Sequence, residues 1–477
     1  MTARDIFTLA ASLIALLTPA SGQFETLATF PVRNDVSSVM VGDFNRDGSP
    51  DLAELSSSGS VGILLANGDG TFRLDGTYTL PSVSFHGATA SLRHNGILDL
   101  VVGADDVYVL LGNGDGTFQQ AVEYSTTTEA NMVGTGNFTG GVNTDVVALE
   151  SVSCYCIEVL PGNGDGTLGA PITTPLPYGM GGYAIAVGDF NNDGNLDVAV
   201  GGEAFPNWQV AILLGNGNGT FTPDGFYLLD TAPGAIATGY FTSNKKKIDL
   251  AITSGFLAVL LGNGDGTFQH ATYLNNGYLP SWVIAQDFDG DGKVDLAASD
   301  AGSPPGFLPG VSVYKGNGNG TFQTGVFYLA GQDEEGGQFV AAGDFNHDGK
   351  PDLVVVNSVH AQITTLLNTG VVSFSPTTPL NFQDQSVGTT SAAQTLTLTN
   401  TGSTELKIQS IKASVEFSVT STCGSRVAPG AQCTISAKFS PTKKGAKTGT
   451  ITIIDNASSK PQVIELLGDG TQAAASE

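Results

Sequence analysis

The sequence contains few of the residues that build catalytic clusters or cationic surfaces. Among 477 residues there are four methionines, two tryptophans and five scattered histidines. No G-x-S-x-G, H-E-x-x-H or phosphate-loop pattern occurs, so the common signatures of serine hydrolases, zinc proteases and nucleotide-binding proteins are missing. Only 19 Lys and Arg stand against 45 Asp and Glu, and the net charge of −26 argues against nucleic acid and anionic membranes as partners.

Long apolar runs are also missing after residue 22. Residues 6–17 form an apolar run behind Arg4, and residues 20–22 are small. Such a run is too short to span a bilayer and is typical of a cleaved secretory signal, which we place at residues 1–22. No Cys follows to accept a lipid, so we expect a secreted protein, extracellular or at the cell surface, without membrane insertion.

Glycine and short repeats are what the sequence has in excess. The 63 glycines and the absence of a long helical period predict a mostly β protein with many tight turns. One nine-residue pattern places Asp or Asn at positions 1, 3 and 5, Gly at 6 and Asp at 9. Its four copies are residues 43–51, 189–197, 287–295 and 344–352.

This spacing suits a calcium ion. Ca²⁺ takes six to eight oxygen ligands at ~2.3–2.6 Å, so a loop must aim several carboxylates and a carbonyl inward from nearly consecutive residues. Gly at position 6 permits the positive φ that wraps the chain around an ion. Ordinary turns use the same residues. Four copies in register, with thirteen carboxylates that repel one another without a cation, favour about four Ca²⁺ sites.

A second pattern, L-G-N-G-D-G-T-F, follows the loops at a regular distance and predicts tight hairpins. Its six copies end at Phe72, Phe118, Leu168, Phe221, Phe268 and Phe322. Equivalent strand starts, 46 to 57 residues apart, are expected at Asp51, Asp99, Asp145, Asp197, Asp249, Asp295 and Asp352. A period near fifty with about four strands per unit predicts a seven-bladed β-propeller.

The seventh unit lacks an outer strand, and an unassigned strand lies near the N-terminus. The seventh unit ends near Phe374, whereas residues 24–30 form a strand with no repeat of their own. We therefore predict that the first and last segments share a blade, which removes an exposed sheet edge. The propeller is predicted to occupy residues 23–374.

The paired patterns resemble the FG-GAP/VCBS repeats of integrin α-subunit propellers and of many secreted bacterial proteins. The resemblance covers about three quarters of the chain and implies calcium loops between the first and second strands of a blade. The side-chain ligands that it implies are Asp43, Asn45, Asp47, Asp51, Asp189, Asn191, Asp193, Asp197, Asp287, Asp289, Asp291, Asp295, Asp344, Asn346, Asp348 and Asp352. The backbone carbonyls that it implies at position 7 are those of Ser49, Asn195, Lys293 and Lys350.

Blades two, three and five depart from this pattern because they carry too few carboxylates to hold Ca²⁺ tightly. Arg93 precedes Asp99 in blade two, and residues 245–247 are lysines before Asp249 in blade five. We hypothesise that Arg93 and one of these lysines replace the ion with a tethered cation paired to the Asp. A solvated basic turn is the alternative for the lysines.

Four cysteines agree with an oxidising compartment. Cys423 and Cys433 bracket a Pro-Gly turn and are predicted to form a disulfide. Cys154 and Cys156 lie two residues apart, where side chains on a strand point the same way but rarely bond without strain. A local bridge, reduced thiols and a metal role all remain open for this pair.

A second domain follows the propeller. From residue 375 the calcium pattern stops, and polar and apolar residues alternate in segments such as 394–400, 433–439 and 449–454. This period predicts an immunoglobulin-like β-sandwich over residues 375–471 with a disordered tail at 472–477. The segment resembles the Hydin-like (ASH) domains of bacterial surface proteins, which implies a spacing or tethering role.

Recognition is expected on the face opposite the calcium loops, because that face varies between blades while the calcium face repeats. Candidate ligand contacts there are Phe205, Trp208, Tyr278, Trp282 and Phe307, although such aromatics also fill gaps between blades. We expect a non-enzymatic calcium-binding propeller that binds an extracellular protein or matrix partner in adhesion. The alternatives are a lectin-like propeller that binds a glycan, and a polysaccharide lyase or hydrolase.

Overall fold

The chain folds into two units in the computed structural model. The described residues are 23–32, 36–82, 86–150, 154–274, 279–300, 310–330, 337–357, 362–368, 372–375, 380–400, 405–455, 457 and 461–472. The predicted signal segment 1–22 lies outside them, as do residues 473–477 of the predicted tail. One unit is Phe24–Asn368, and the other contains Thr369–Glu477.

The first unit is the predicted seven-bladed propeller. Its strands are β1 Phe24–Pro31, β2 Val36–Gly42, β3 Asp51–Ser56, β4 Ser60–Ala66, β5 Phe72–Thr79, β6 His86–Ala90, β7 Asp99–Gly103, β8 Val107–Leu110, β9 Val122–Tyr124, β10 Ala130–Gly136, β11 Asp145–Glu150, β12 Cys156–Leu160, β13 Ile172–Pro175, β14 Gly181–Gly188, β15 Asp197–Ala204, β16 Asn207–Gly215, β17 Phe221–Leu229, β18 Ile236–Gly239, β19 Asp249–Ser254, β20 Phe256–Leu260, β21 Thr272–Leu274, β22 Pro280–Gln286, β23 Asp295–Asp300, β24 Gly310–Tyr314, β25 Val326–Leu329, β26 Gly337–Gly343, β27 Asp352–Asn357 and β28 Gln362–Asn368. A 3-10 turn, Pro177–Gly179, precedes β14.

Six blades are formed from consecutive strands. They are β2–β5, β6–β9, β10–β13, β14–β17, β18–β21 and β22–β25, each an antiparallel sheet with its strands in chain order. The seventh sheet has the order β1-β28-β27-β26, so the first strand of the unit completes the last blade. Phe24 pairs with Asn368 and Phe30 with Ile363. The predicted ring closure is therefore confirmed.

The core of the propeller lies between the blades. The second and third strands of blade one, β3 and β4, are buried along their whole length, because a neighbouring blade covers each face. The outer strand β5 is mostly exposed beyond Phe72. Seven clusters of buried apolar side chains, one for each pair of neighbouring blades, hold the ring together by burial of apolar surface.

The second unit is a two-sheet sandwich, as predicted. Its strands are β29 Val372–Ser375, β30 Leu380–Asn381, β31 Gln385–Ser386, β32 Gln394–Asn400, β33 Leu406–Ala413, β34 Phe417–Ser421, β35 Arg426–Val427, β36 Gln432–Phe439, β37 Gly445–Asp455 and β38 Gln462–Thr471. One sheet has the order β29-β32-β36-β34, and the other has the order β30-β38-β37-β33-β35 with β31 also on β38. Alternate apolar residues of both sheets form one core.

Two further points concern this unit. Its first strand, β29, pairs with β32, so the predicted propeller boundary at residue 374 falls inside β29 and the division lies instead between Asn368 and Thr369. The predicted Cys423–Cys433 disulfide is present, with 4.8 Å between the Cα atoms. Among the described residues of the whole chain, no helix has the length and apolar character that crossing a membrane requires.

Candidate functional site

The four predicted cation loops connect the first and second strands of blades one, four, six and seven. In blade one, the Asp43 carboxylate accepts hydrogen bonds from the backbone N–H groups of Asp47 at 3.1 Å and Gly48 at 3.0 Å. The equivalent aspartates close the other three loops in the same manner. Gly48 has φ 91°, and the glycines at position 6 of the other loops also have positive φ, as the turn requires.

The carboxylate at position 5 fixes the rest of each loop. Its Oδ1 atom accepts the backbone N–H of the residue at position 7 at 2.7 to 3.0 Å in all four loops. The position 7 residues held in this way are Ser49, Asn195, Lys293 and Lys350. The loop is thus shaped by its own acidic side chains.

The donor chemistry of blade six fits a hard divalent cation. Carboxylate oxygens of Asp287, Asp289 and Asp295 lie within 4.8 Å of one another. Lysine ammonium groups meet the acidic side chains: Lys293 Nζ is 2.7 Å from Asp291 Oδ2, and Lys315 Nζ is 3.2 Å from Asp289 Oδ2. The loop therefore concentrates enough negative charge to attract cations, as a Ca²⁺ site requires.

The aspartate at position 9 has a structural role in addition to the ligand role predicted for it. In blade one, Asp51 is fully buried, and its two oxygens accept the backbone N–H groups of Phe44 at 2.9 Å and Ala66 at 2.8 Å. The same two-point bridge occurs in every blade, including the three with degenerate loops. This aspartate therefore joins the loop to the third strand and does not by itself mark an ion site.

Burial perturbs these buried carboxyl groups. Burial raises the pKa of Asp51 and Asp197 to about 6, and that of Asp295 and Asp352 to about 7. The backbone N–H donors oppose this increase, whereas nearby loop aspartates add to it because like charges disfavour ionisation. A cation in the loop would favour the ionised forms.

Blade two contains the ion pair that the hypothesis of a tethered cation requires. Arg93 Nη2 lies 2.5 Å from Asp99 Oδ1 and donates a second hydrogen bond to the Gly112 carbonyl at 2.6 Å. The lysines of blade five form no such close pair: among the ion pairs of the described residues none joins Asp249 to residues 245–247, and Lys245 Nζ lies 6.0 Å from the Tyr240 ring. The charge of Lys247 still acts to lower the pKa of Asp249, although burial outweighs it.

The residue at position 2 of the loops connects one blade to the next. The sequence did not predict this role. The Phe44 carbonyl accepts the backbone N–H of Gly116, from the hairpin of the next blade, at 3.0 Å, and the Phe44 ring meets Phe118 edge-on at 5.4 Å. Equivalent hydrogen bonds join four more blade pairs. In the last blade, which has no such hairpin, Asn368 Nδ2 donates to the Phe288 carbonyl at 2.7 Å. A Phe that recurs in most loops and in most hairpins is the sequence pattern that could have predicted this contact.

The predicted ligand residues of the variable face differ in exposure and packing. Phe205 is 91% exposed at the tip of the β15–β16 hairpin. Trp282 is half-buried and packs against Phe339 at 4.6 Å and His86 at 5.5 Å, so it fills space between innermost strands. Tyr278 and Phe307 lie outside the described residues.

Phe205 and Trp208 belong to a larger set of exposed apolar side chains on blade four. Tyr178 meets Phe226 at 5.3 Å, and Tyr183 meets Trp208 at 6.0 Å. The exposed fractions of Tyr178 and Tyr183 are 84% and 47%. We use the name blade-four aromatic cluster for Tyr178, Tyr183, Phe205, Trp208, Phe226 and Leu228. The two ring pairs lie on opposite faces of the sheet, since Phe226 pairs with Ala211 on the side of blade three and Trp208 faces blade five. Its members come from four segments of the sequence, so no single motif predicts it.

Comparison with known families agrees with this architecture. Residues 137–200 and 287–355 match the FG-GAP-like repeat, and residues 181–220 match the FG-GAP repeat. Residues 369–463 match the family described as Abnormal spindle-like microcephaly-assoc'd, ASPM-SPD-2-Hydin, or ASH. The fold and loops define a repeat β-propeller followed by an immunoglobulin-like domain. The chain therefore carries FG-GAP-like repeats within its propeller and a segment that matches the ASH family at residues 369–463.

Solved structures share the propeller fold at low sequence identity. Crystal structures of BBS1N in complex with ARL6DN, soaked with mercury or with lead, are each 12% identical with a TM-score of 0.51, and the match covers 72% of this chain and 97% of that chain. The crystal structure of Saccharomyces cerevisiae Sqt1 is 13% identical with a TM-score of 0.47, covering 72% of this chain and 98% of that chain. No curated protein sequence matches the chain significantly.

Proposed function

We propose that the propeller is a non-enzymatic binding module for an extracellular protein, that it acts in adhesion or surface assembly, and that calcium stabilises its loops. The blade-four aromatic cluster carries the binding part of this proposal. Large aromatic side chains are strongly enriched among the residues that dominate protein–protein binding energy. Exposed apolar side chains that touch one another, as those of Tyr178 and Phe226 do, mark an interaction surface.

The cluster has the features of a protein-binding surface. Phe205 and Leu228 are 91% and 64% exposed, so both lose much apolar surface when a partner covers them. Exposed Asp224 and Asp230 lie on and beside the same outer strand, and the chain as a whole is strongly acidic. A partner with an apolar groove and a basic rim matches this combination. The BBS1N structures, whose title names a complex with ARL6DN, provide an example of this fold beside a protein partner.

Calcium binding is the second part of the proposal. The loops of blades one, four, six and seven present the carboxylate and carbonyl oxygens that Ca²⁺ prefers, and the blade six oxygens already converge. The chain's own contribution is to hold these oxygens by backbone N–H groups, as Asp43 and Asp287 show. Export through the segment 1–22 would bring the protein to a compartment where calcium is abundant.

Binding arrays test the partner class. The mature chain is applied to an array of extracellular matrix proteins and to a glycan array, each with calcium and with chelator, beside a reducing-sugar assay. We expect calcium-dependent binding to a protein, at least about tenfold weaker for Phe205→Ala combined with Tyr178→Ala. Val142→Ala is the matched control, because Val142 is 86% exposed on the opposite face. Binding to glycans alone, or released sugar, would replace the proposal with a lectin or an enzyme.

A further inference from the structure

Blade three contains a disulfide beside a buried carboxyl group. Cys154 and Cys156 are bonded to each other, which resolves the alternative left open by the sequence. A carboxylate oxygen of Glu150 and both sulfur atoms lie within 4.8 Å of one another, and Glu150 Oε2 is 3.7 Å from Cys156 Sγ. Cys156 and Glu150 are fully buried, whereas Cys154 is partly exposed. The two sulfurs therefore differ in their access to a reagent.

Glu150 is one half of a buried acid pair. It adjoins Glu158 on β12, which is also fully buried. Thr128 donates its backbone N–H at 3.0 Å and its hydroxyl at 2.8 Å to Glu150 Oε2, and Thr173 Oγ1 donates to Glu158 Oε1 at 2.8 Å. Glu150 Oε1 receives no hydrogen-bond donor from the described residues. Glu150 is thus the member of the pair whose charge has less support from hydrogen bonds, so its protonated form is favoured.

The two pKa directions agree with this assignment. Burial, together with Glu158, raises the pKa of Glu150 to about 8. The pKa of Glu158 is lowered, because hydrogen bonds from Thr127, Glu150 and Thr173 outweigh its burial. Two adjacent carboxyl groups that share one proton show this divergence. At neutral pH a proton source therefore stands next to the disulfide.

We propose that Cys154 and Cys156 form a thiol–disulfide exchange site in which Glu150 protonates the departing sulfur of Cys156. The co-reactant is a thiol. Its thiolate attacks the partly exposed Cys154 sulfur, the bond between the two cysteines breaks, and its electron pair leaves on Cys156. Cys156 takes the proton of Glu150. A second thiolate then attacks the mixed disulfide, so two thiols become one disulfide and both cysteines become thiols.

The difference in burial determines which cysteine is attacked and which one leaves. A thiolate formed on Cys156 would be a buried charge beside the acidic side chains of Glu150 and Glu158, which is costly unless it is protonated at once. Cys154, by contrast, is accessible to the incoming thiol. The second disulfide of the chain, Cys423–Cys433, lies in the other unit and provides an internal reference in the same molecule.

The test measures how quickly each disulfide opens in the full mature chain. Glutathione is added at pH 7, the reaction is stopped by alkylation, and peptides holding each pair are quantified by mass spectrometry. General acids typically contribute ~10²–10⁴ in rate, so we expect Glu150→Gln to slow opening of Cys154–Cys156 by about tenfold or more. Cys423–Cys433 should open at an unchanged rate. Equal rates at Cys154–Cys156 in both proteins would overturn the proposal.

A second measurement covers the case in which the variant fails to fold. In the unmodified chain, the rate constant per glutathione thiolate is followed from pH 6 to 10. We expect it to fall for Cys154–Cys156 as pH rises through about 8, where Glu150 loses its proton. The titratable group that faces Glu150 is Glu158 on β12, and the segment before β10 contributes the hydroxyls of Thr127 and Thr128. A profile as flat as that of Cys423–Cys433 contradicts the assignment.

Discussion

Two Arg–Asp ion pairs of the propeller differ in how deeply they are buried. Asp99 in blade two is fully buried, and Arg93 is mostly buried against it. Arg73 and Asp75 form an ion pair of similar length, 2.8 Å, on the surface, where the Arg73 side chain is 57% exposed. The two pairs differ in desolvation and not in chemistry, so they separate the energetic contribution of burial from that of simple charge attraction.

We expect Arg93→Met to destabilise the propeller by about 3 kcal/mol, because loss of one partner leaves the Asp99 carboxylate buried without its counter-charge. Arg73→Met should cost less than about 1 kcal/mol, as exposed pairs do. The free energy of unfolding in urea, measured at pH 7, checks both values. A similar small loss in the two variants would show that Arg93 is a solvated residue without a structural role.

Glu150 gives a pH dependence whose sign follows from its raised pKa. Between the ordinary pKa of 4.5 and about 8, the folded chain binds one more proton at this site than the unfolded chain. Stability from this group is therefore present at low pH and is lost as pH rises through that window. The melting temperature of the unmodified chain should fall more steeply from pH 5 to 8 than that of Glu150→Gln. Parallel curves would contradict the shared proton.

At the scale of elements, five pairs of neighbouring blades are joined in the same way, by the loop between the first and second strands of one blade and the hairpin between the third and fourth strands of the next. The loop supplies a buried aromatic ring and a carbonyl, as Phe190 does, and the hairpin supplies a glycine N–H, as Gly266 does at 3.1 Å, with a second ring. Blade seven ends before such a hairpin, and the Asn368 side chain takes the place of the glycine N–H. One side-chain amide therefore contributes to the junction of blades six and seven.

Asn368→Ala should destabilise the propeller by about 2 kcal/mol. The Asn368 amide donates to the carbonyls of Phe288 at 2.7 Å and Pro351 at 3.0 Å, and its loss leaves buried acceptors unsatisfied. Asn113→Ala is the matched control, because the Asn113 side chain donates to the exposed Thr117 hydroxyl and its loss should change stability by about 0.5 kcal/mol or less. Calorimetry of both variants measures how much the Asn368 amide contributes to the stability of the propeller.

Sequence alone predicted the elements that repeat and missed those that depend on contacts between distant segments. The seven strand starts at Asp51 and its equivalents follow from spacing, and β1 was assigned to the last blade because residues 24–30 had no other partner. The loop shape follows from Asp, Asn and Gly at fixed positions. By contrast, Tyr178 meets Phe226 only after two blades have formed, and Glu150 meets Glu158 only across paired strands. No local period reports such pairs.

For the whole molecule, the dominant electrostatic fact is a net charge of −26, of which thirteen negative charges lie in four short loops. Those loops lie at the junctions between blades, since residues such as Phe44 and Phe345 connect them to the next hairpin. Repulsion within a loop therefore acts on the ring as a whole. Four divalent cations would bring the formal charge to about −18 and relieve this repulsion where the blades meet.

We expect the purified mature chain to bind about four Ca²⁺ and to melt at a lower temperature after chelation. A site filled at ten times its dissociation constant stabilises the folded chain by about 1.4 kcal/mol, so four sites should shift the melting temperature by several degrees. Asp289→Asn combined with Asp291→Asn should remove one bound ion and its share of the shift, because both carboxylates belong to blade six.

Asp115→Asn is the control for this double variant, since Asp115 shapes a hairpin by accepting from Thr117 at 2.6 Å and is not an expected ligand. Elemental analysis of the dialysed protein counts the ions, and calorimetry measures the shift. Seven bound ions would mean that blades two, three and five also hold calcium despite Arg93. The purified chain could instead contain no calcium and keep the same melting temperature after chelation. This result would show that the loop aspartates act only as acceptors of backbone N–H hydrogen bonds, and that the contacts between blades stabilise the propeller without calcium.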